Sequence, residues 1–563
     1  MKKLRWPLLV VLLSLAAIAI ILLSQQQVSA PGSAPVLEPS SGGIYAEGLI
    51  GAPVRFNPVL DYYNSADRDV DRLIFSSLVR FDDRGLAQGD LAEAWASSKD
   101  GKVYSFALRP NALWHDGKPV TAEDVIFTID LMRNEQIPLP ADLREFWKQV
   151  NVSALNPQTV RFDLPEPFAP FLDYLSFGIL PRHIYEGIAP QEIANAPQNL
   201  NPVGSGPFMF DHLLVENGKI QGVVLKTNPK YYSKPSFIEQ VVLRYYPDAN
   251  AALEAYRKGD VMGISQATPD ILPGVLSDQQ LNVYTARLPR LVYVYLNLQN
   301  DKLTFFQQAN IRRALLLGIN RQRIIDRLLG GQAIPADGPI WPDSWAYYPG
   351  IEHLPYDPQA ADDLIKKAGF TYPADGSSVR VKDGVALEFD LVFPDTPTFQ
   401  QVAQMIQTDW AKIGVRANLK PVTNEQLVKD YLEPRNYQAA LVDLNLTRLP
   451  DPDPYPFWHQ TQVTDGQNYS GWDDRQASEY LERARTAIDL DERIRLYRNF
   501  QVRFTNEMPA LPLYFPVYTY AVDDQVQAVR LGPLYDTGDR FNSIENWFLV
   551  ARRATPVPLT PTP

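Results

Sequence analysis

YSFALRPNALWHDGKPVTAEDVIFTID, residues 104–130, packs a strand, a tight turn and a helix start into one run. Tyr104, Phe106 and Leu108 alternate with Ser105, Ala107 and Arg109, the period of two expected of a half-buried strand. Asn111 and Asp116-Gly117 mark turns, because Asp hydrogen-bonds its own backbone and Gly accepts positive φ. Thr121 is placed to cap the following helix, with Asp124 as the second half of a capping box and Val120 set to staple onto Val125. Val125, Ile129 and Met132 then share one helical face. The run predicts a well-signposted α/β element, and packing is enough to account for every residue in it.

Other helices are signposted the same way. Asp357 caps, Pro358 takes the first helical position where its missing N–H costs nothing, and Ala361, Leu364, Ile365 and Ala368 line a face ended by Gly369. Phe399, Val402, Ile406, Trp410 and Ile413 form a second stripe closed by Gly414, and Ala477, Tyr480, Leu481, Ala484 and Ile488 form a third. Strands and helices intermingle throughout, as an α/β architecture requires. With 563 residues the chain is too long for one core and predicts two to four domains.

Composition narrows the class. The apolar fraction, 45% with 11% aromatic, is that of a globular protein. A net charge of −12, with no basic cluster beyond the N-terminus, argues against a nucleic-acid partner. Without any cysteine there are no disulfides, thiolate metal sites, thiol nucleophiles or lipidated cysteine. Lys2, Lys3 and Arg5 precede an apolar run over 7–23 broken only by Ser14, and Val28-Ser29-Ala30 offers a small-residue cleavage site. Residues 1–30 therefore read as a signal peptide or as a retained N-terminal membrane anchor with its basic end inside. Both versions put the folded part outside the cytoplasm. Residues 31–43, rich in Pro, Ser and Gly, read as a linker, and the Pro/Thr-rich 551–563 as a tail.

A search for catalytic chemistry returns little. The five histidines, His115, His183, His212, His353 and His459, form no H-x-x-x-H or H-E-x-x-H pattern, so no metal site or cofactor is expected. His115 reads as a hydrogen-bonded structural residue. No nucleophile elbow, P-loop or dinucleotide fingerprint occurs. Asp451 and Asp453 are the paired carboxylates a glycosidase would need, but their PDPDP setting reads as a rigid extended loop. Binding suits the inventory better: 28 Tyr and 10 Trp can wall a concave site that needs only a few placed polar groups.

The 104–130 run resembles the signature of the family 5 extracellular solute-binding proteins. NPVGSGPFMF (201–210), IRRALLLGINRQRII (311–325), YDPQAADDLIKKAGF (356–370), QMIQTDWAKIGVRANL (404–419) and PDPDPYPFW (450–458) resemble the family's further motifs, in order. The resemblance implies a two-lobed periplasmic-binding-protein-like α/β fold, type II with an extra subdomain. Lobe one is then discontinuous, 43–64 with 201–290 and 509–550; 65–200 is the inserted subdomain and 291–508 is lobe two, with hinge crossings near Leu291 and Met508. It also implies a non-enzymatic monomer at the outer face of the cytoplasmic membrane that hands a small solute to an ABC permease. The possible anchor keeps a second reading open, a ligand-sensing module for a membrane sensor. A third is a glycoside hydrolase using Asp451 or Asp453.

In peptide-binding relatives the stretch matching 443–459 resembles W-x-x-D-Y-x-D-P, whose first Asp clamps the α-ammonium. Aligned on Asp451-Pro452, this chain has Asn445 for the Trp and Arg448 for the clamp, with Thr447 beside it. Arg prefers carboxylate or phosphate, so an anionic or hydroxyl-rich solute gains over a free-amine peptide, unless Asp451 or Asp453 faces the cleft. A solvated or lobe-bridging Arg448 is the other reading. Tyr62 and Tyr63, after the first strand, and Tyr295, by the expected hinge, complete the candidate ligand-binding set.

Overall fold

The computed structural model describes residues 37–82, 84–446 and 450–553. Within it the 104–130 run folds as its pattern dictates. The strand Val103–Leu108 buries Tyr104, Phe106 and Leu108, Gly117 turns the chain at φ +89°, and both halves of the Thr121/Asp124 capping box are made ahead of the helix Ala122–Arg133. That strand is central in a four-stranded antiparallel sheet with Ala92–Ser97, Thr159–Asp163 and Asn151–Asn156.

A twelve-stranded mixed sheet runs through the rest of the described residues. Its axis is the strand Ala510–Asp523, buried along nearly its whole length. The first half pairs with Arg290–Leu296 and Ala333–Pro335; the second half pairs with Leu281–Arg287 and Gly263–Ile264. From the second half the sheet continues through Ile44–Ile50, Gln240–Tyr246, Lys219–Thr227 and Phe208–Glu216, and from the first through Ala439–Asn445, Glu388–Pro394 and Arg416–Val422. One strand thus belongs to two bodies with separate hydrophobic cores, an α/β fold of two lobes.

The helix signals hold. Asp357 accepts from the Ala360 N–H at 2.8 Å ahead of Pro358–Lys367, and Gly369 and Gly414 sit at φ +93° and +78° just past their helices. The third stripe is shorter than its spacing suggests. The helix Arg475–Thr486 ends before Ile488, which is 49% exposed.

His115 joins the four-stranded unit to the NPVGSGPF turn. Its backbone N–H donates to the Gly204 carbonyl at 2.8 Å, its Nδ1 accepts from the Gly204 N–H at 3.1 Å, and its Nε2 lies 3.1 Å from the Gly206 carbonyl. The turn has no room for side chains, since a Cβ on Gly204 would lie 1.9 Å from the Ile74 carbonyl oxygen.

Candidate functional site

A cavity of ≈ 680 Å³ lies between the two bodies, within the range of small-molecule sites. Its floor is built on the helix Ser65–Ile74, which starts where Asn64 accepts from the Ala66 N–H at 3.0 Å. Arg68 pairs with Asp536 at 2.6 Å and donates to the carbonyls of Asp61 and Tyr62; Arg72 pairs with Asp539 at 2.6 Å. These pairs tie the helix to residues 536–546, late in the chain, and fix Asp61 and Tyr62 on the wall.

The side wall is aromatic. Phe146, Phe168, Tyr174 and Phe177 line the cavity on one side; the rings of Phe146, Phe168 and Tyr174 interlock, Phe146 against Tyr174 at 4.4 Å between centroids. Tyr455, Gln462, Asp465 and Arg485 face them from the other body. Arg485 closes this side: its guanidinium lies 4.1 Å over the Tyr455 ring and 5.5 Å from that of Phe168.

The PDPDP loop lies beside the cavity, with its carboxylates turned inward. Asp453 takes a bidentate pair from Arg485, 2.8 and 3.0 Å to one oxygen. Asp451, 5% exposed, pairs with Arg493 and accepts from the Asp453 N–H at 3.0 Å and the Tyr497 hydroxyl at 3.3 Å. The Asp451 N–H in turn donates to the Asp173 carboxylate at 2.5 Å, across the gap between the bodies. Burial, then the neighbouring Asp451 charge, pushes the Asp173 carboxyl well above its ordinary range. Burial also raises Asp451, with Arg493 opposing it. Both carboxylates of the PDPDP pair are tied to guanidiniums.

The expected site residues therefore separate. Tyr62 is on the cavity wall, and Tyr63 lies outside it, 71% exposed and edge-on to Tyr62 at 5.0 Å. Tyr295 is corrected to core: 1% exposed, it packs 5.7 Å from Trp458 in a strand buried on both faces. Asp451 and Asp453 are structural ion-pair partners beside the wall. Asn445 ends the strand Ala439–Asn445, in register with Arg290. Thr447 and Arg448 lie outside the described residues, as do 1–36 and 554–563. Sequence reasoning missed Asp173, Tyr174, Asp465 and Arg485; of the wall residues opposite the floor, Tyr455 and Pro456 stood in a quoted motif.

Among the described residues no three His, Asp or Glu side chains gather as metal ligands do. His183, His212, His353 and His459 are each bonded to a carboxylate at 2.7–2.8 Å.

The geometry can be set beside known proteins. The family described as bacterial extracellular solute-binding proteins, family 5 middle, matches residues 87–467. The chain is 25% identical over 524 residues to the oligopeptide-binding protein AppA of Bacillus subtilis (strain 168), covering 91% of this chain and 92% of that one. It is 27% identical over 512 residues to the dipeptide-binding protein of Escherichia coli (strain K12), covering 86% and 91%. The solved structure of Bacillus subtilis AppA in complex with a nonapeptide superposes with a TM-score of 0.69 at 24% identity, covering 91% of this chain and all of that one.

Proposed function

We propose what this receptor carries, and where, from the premise that the chain belongs to the bacterial extracellular solute-binding proteins of family 5. A member of that family binds a solute and does not turn it over. The solute is peptide-like: the cavity has the volume of a short peptide, and relatives over nearly the whole chain are named for oligopeptides and dipeptides. Its fate is delivery to an ABC permease, by which closure of the two lobes is read as the loaded state. The observation that carries this reading is the cavity walled from both bodies, Phe146 and Tyr174 on one side and Tyr455 and Asp465 on the other.

The lobes proposed are those of the expected layout, 43–64 with 201–290 and 509–550 against 291–508, with 65–200 inserted, except that the first half of Ala510–Asp523 pairs with lobe-two strands. The strand Ala510–Asp523 is the element both lobes share. Residues 1–30 export the chain, as a cleaved signal or a retained anchor. No helix among the described residues is long and apolar enough to cross a membrane.

The test is thermal unfolding of protein freed of carried-over ligand by unfolding and refolding, screened against di- and tripeptides, oligosaccharides and metal chelates. A ligand that binds only the folded form at one hundred times its Kd stabilises it by about 2.7 kcal/mol. Peptides should raise the melting temperature and the other classes leave it unmoved. A response confined to sugars or chelates refutes the peptide assignment, and no response from any class refutes the receptor reading for this cavity.

A further inference from the structure

Exposed carboxylates on the described wall of the cavity stand on both bodies. Asp142 and Glu166 stand exposed on the inserted side and Asp465 on the opposite body, and all three line the same cavity. The guanidiniums of the wall do not balance them: Arg68, Arg72 and Arg485 are each paired to a carboxylate of their own. Arg80 alone stands there without an ion pair among the described residues. Behind the mouth lie ring faces, those of Phe146 and Tyr174 among them. Tyr535, 6% exposed, also lines the cavity, its hydroxyl buried against Gly85.

Exposed carboxylates on one surface are ordinarily just solvated. Two facing jaws are different. Closing them empty brings Asp465 towards Asp142 and Glu166 as water leaves, and like charges repel more strongly as the local dielectric falls. A cation between them reverses the sign of the same interaction, and the ring faces add a quadrupole that attracts ammonium or guanidinium groups. An acidic mouth also concentrates cations ahead of binding.

We propose that the solute is cationic: a peptide carrying a basic side chain, selected at the mouth by Asp142, Glu166 and Asp465. This rests on the peptide-receptor reading and departs from the anionic preference that Arg448 suggested. The acidic jaws hold the receptor open when empty, so charge selects the solute and also makes closure depend on it.

The experiment is calorimetric titration of the full chain, freed of ligand, with Ala-Lys-Ala, Ala-Gln-Ala, Ala-Glu-Ala and spermidine. We expect Ala-Lys-Ala to bind about tenfold or more tighter than Ala-Glu-Ala, a difference of about 1.4 kcal/mol. Raising salt from about 20 to about 300 mM should narrow the gap, and the triple variant D142N/E166Q/D465N should reduce it to about threefold or less. Equal or tighter binding of Ala-Glu-Ala overturns the charge proposal and leaves the peptide receptor standing, as does a gap unchanged in the triple variant. Binding of spermidine with no peptide bound overturns the peptide reading and leaves the cationic one. Silence from all four overturns both.

Discussion

Acid should loosen the joint between the inserted region and the glycine-rich turn through one imidazole. His115 Nδ1 accepts the Gly204 N–H while Nε2 faces the Gly206 carbonyl. That arrangement needs the neutral Nε2–H tautomer, because a proton on Nδ1 would point at another N–H. Burial pushes the His115 pKa down from 6.5 to about 4. In the unfolded chain the imidazole takes its proton as pH falls past 6.5, whereas in the folded chain it does so only near 4. Between those limits the unfolded state binds more protons, so stability falls with acid. The loss is about 2 kcal/mol at pH 5 and about 3 kcal/mol once pH is below 4, each pKa unit being worth about 1.4 kcal/mol. Other groups titrate too, so the measurement is a difference of differences: urea unfolding at pH 7.5 and 5.0 for the wild type and for His115→Asn. The Asn amide oxygen can accept from Gly204 without titrating. The variant should lose about 2 kcal/mol less than the wild type over this pH step. Equal losses, or an NMR titration that puts His115 near 6.5, would refute the argument.

Three further outcomes follow from the same geometry. Arg540→Ala should cost about 3–5 kcal/mol in chemical denaturation, because it leaves Glu47, 0% exposed, and Asp69 as buried charges without their guanidinium. Gly204→Ala should yield little folded protein, read by expression and circular dichroism, since its Cβ meets main-chain oxygen and not a movable side chain. Burial and the Asp451 charge raise the Asp173 carboxyl where it meets the Asp451 loop across the gap, so making that contact takes up a proton; approach of the two bodies, followed by small-angle scattering, should be favoured as pH falls from neutral towards the ordinary carboxylate range. In Asp173→Asn that pH dependence should flatten, and an unchanged profile would mean the proton sits elsewhere.

What the sequence made legible is what short-range physics decides. The Thr121/Asp124 box, the Asp357-Pro358 start and the glycines at 369 and 414 need only neighbouring residues, and each appears where its chemistry placed it. Ile488 shows the limit. Its spacing continues the stripe of Arg475–Thr486, but the helix stops first and the side chain reaches over Gly101, whose Cβ would lie 2.8 Å from Ile488 Cδ1. Tyr295 shows another limit: nearness to the expected hinge does not say which side chains meet solvent, and Arg290–Leu296 is buried on both faces. The cavity was least legible. Its walls join residues such as Phe146 and Tyr455 that no local pattern relates, and the Asp173–Asp451 contact spans 278 residues of chain.

The PDPDP loop illustrates how a motif can keep its place while its chemistry is spent elsewhere. A carboxylate can clamp a solute's ammonium only if its lone pairs face the solute. Here Asp453 is saturated by Arg485, and Asp451 by Arg493, Tyr497 and its own loop. The two arginines come from the helices Arg475–Thr486 and Leu490–Glu507, so the loop braces that helix pair. Its bond across the gap comes from a backbone N–H, which no substitution at 451 other than proline removes. Closure through this loop is therefore insensitive to the solute's charge. Selectivity by charge has to come from groups that still face the cavity, and on the described wall those are mostly acidic. Asp453→Asn should accordingly cost stability and, by leaving the Arg485 guanidinium unpaired on the cavity wall, narrow the preference for cationic over anionic peptides. An unchanged ratio would mean that the pairing of Arg485 has no part in the charge balance of the wall.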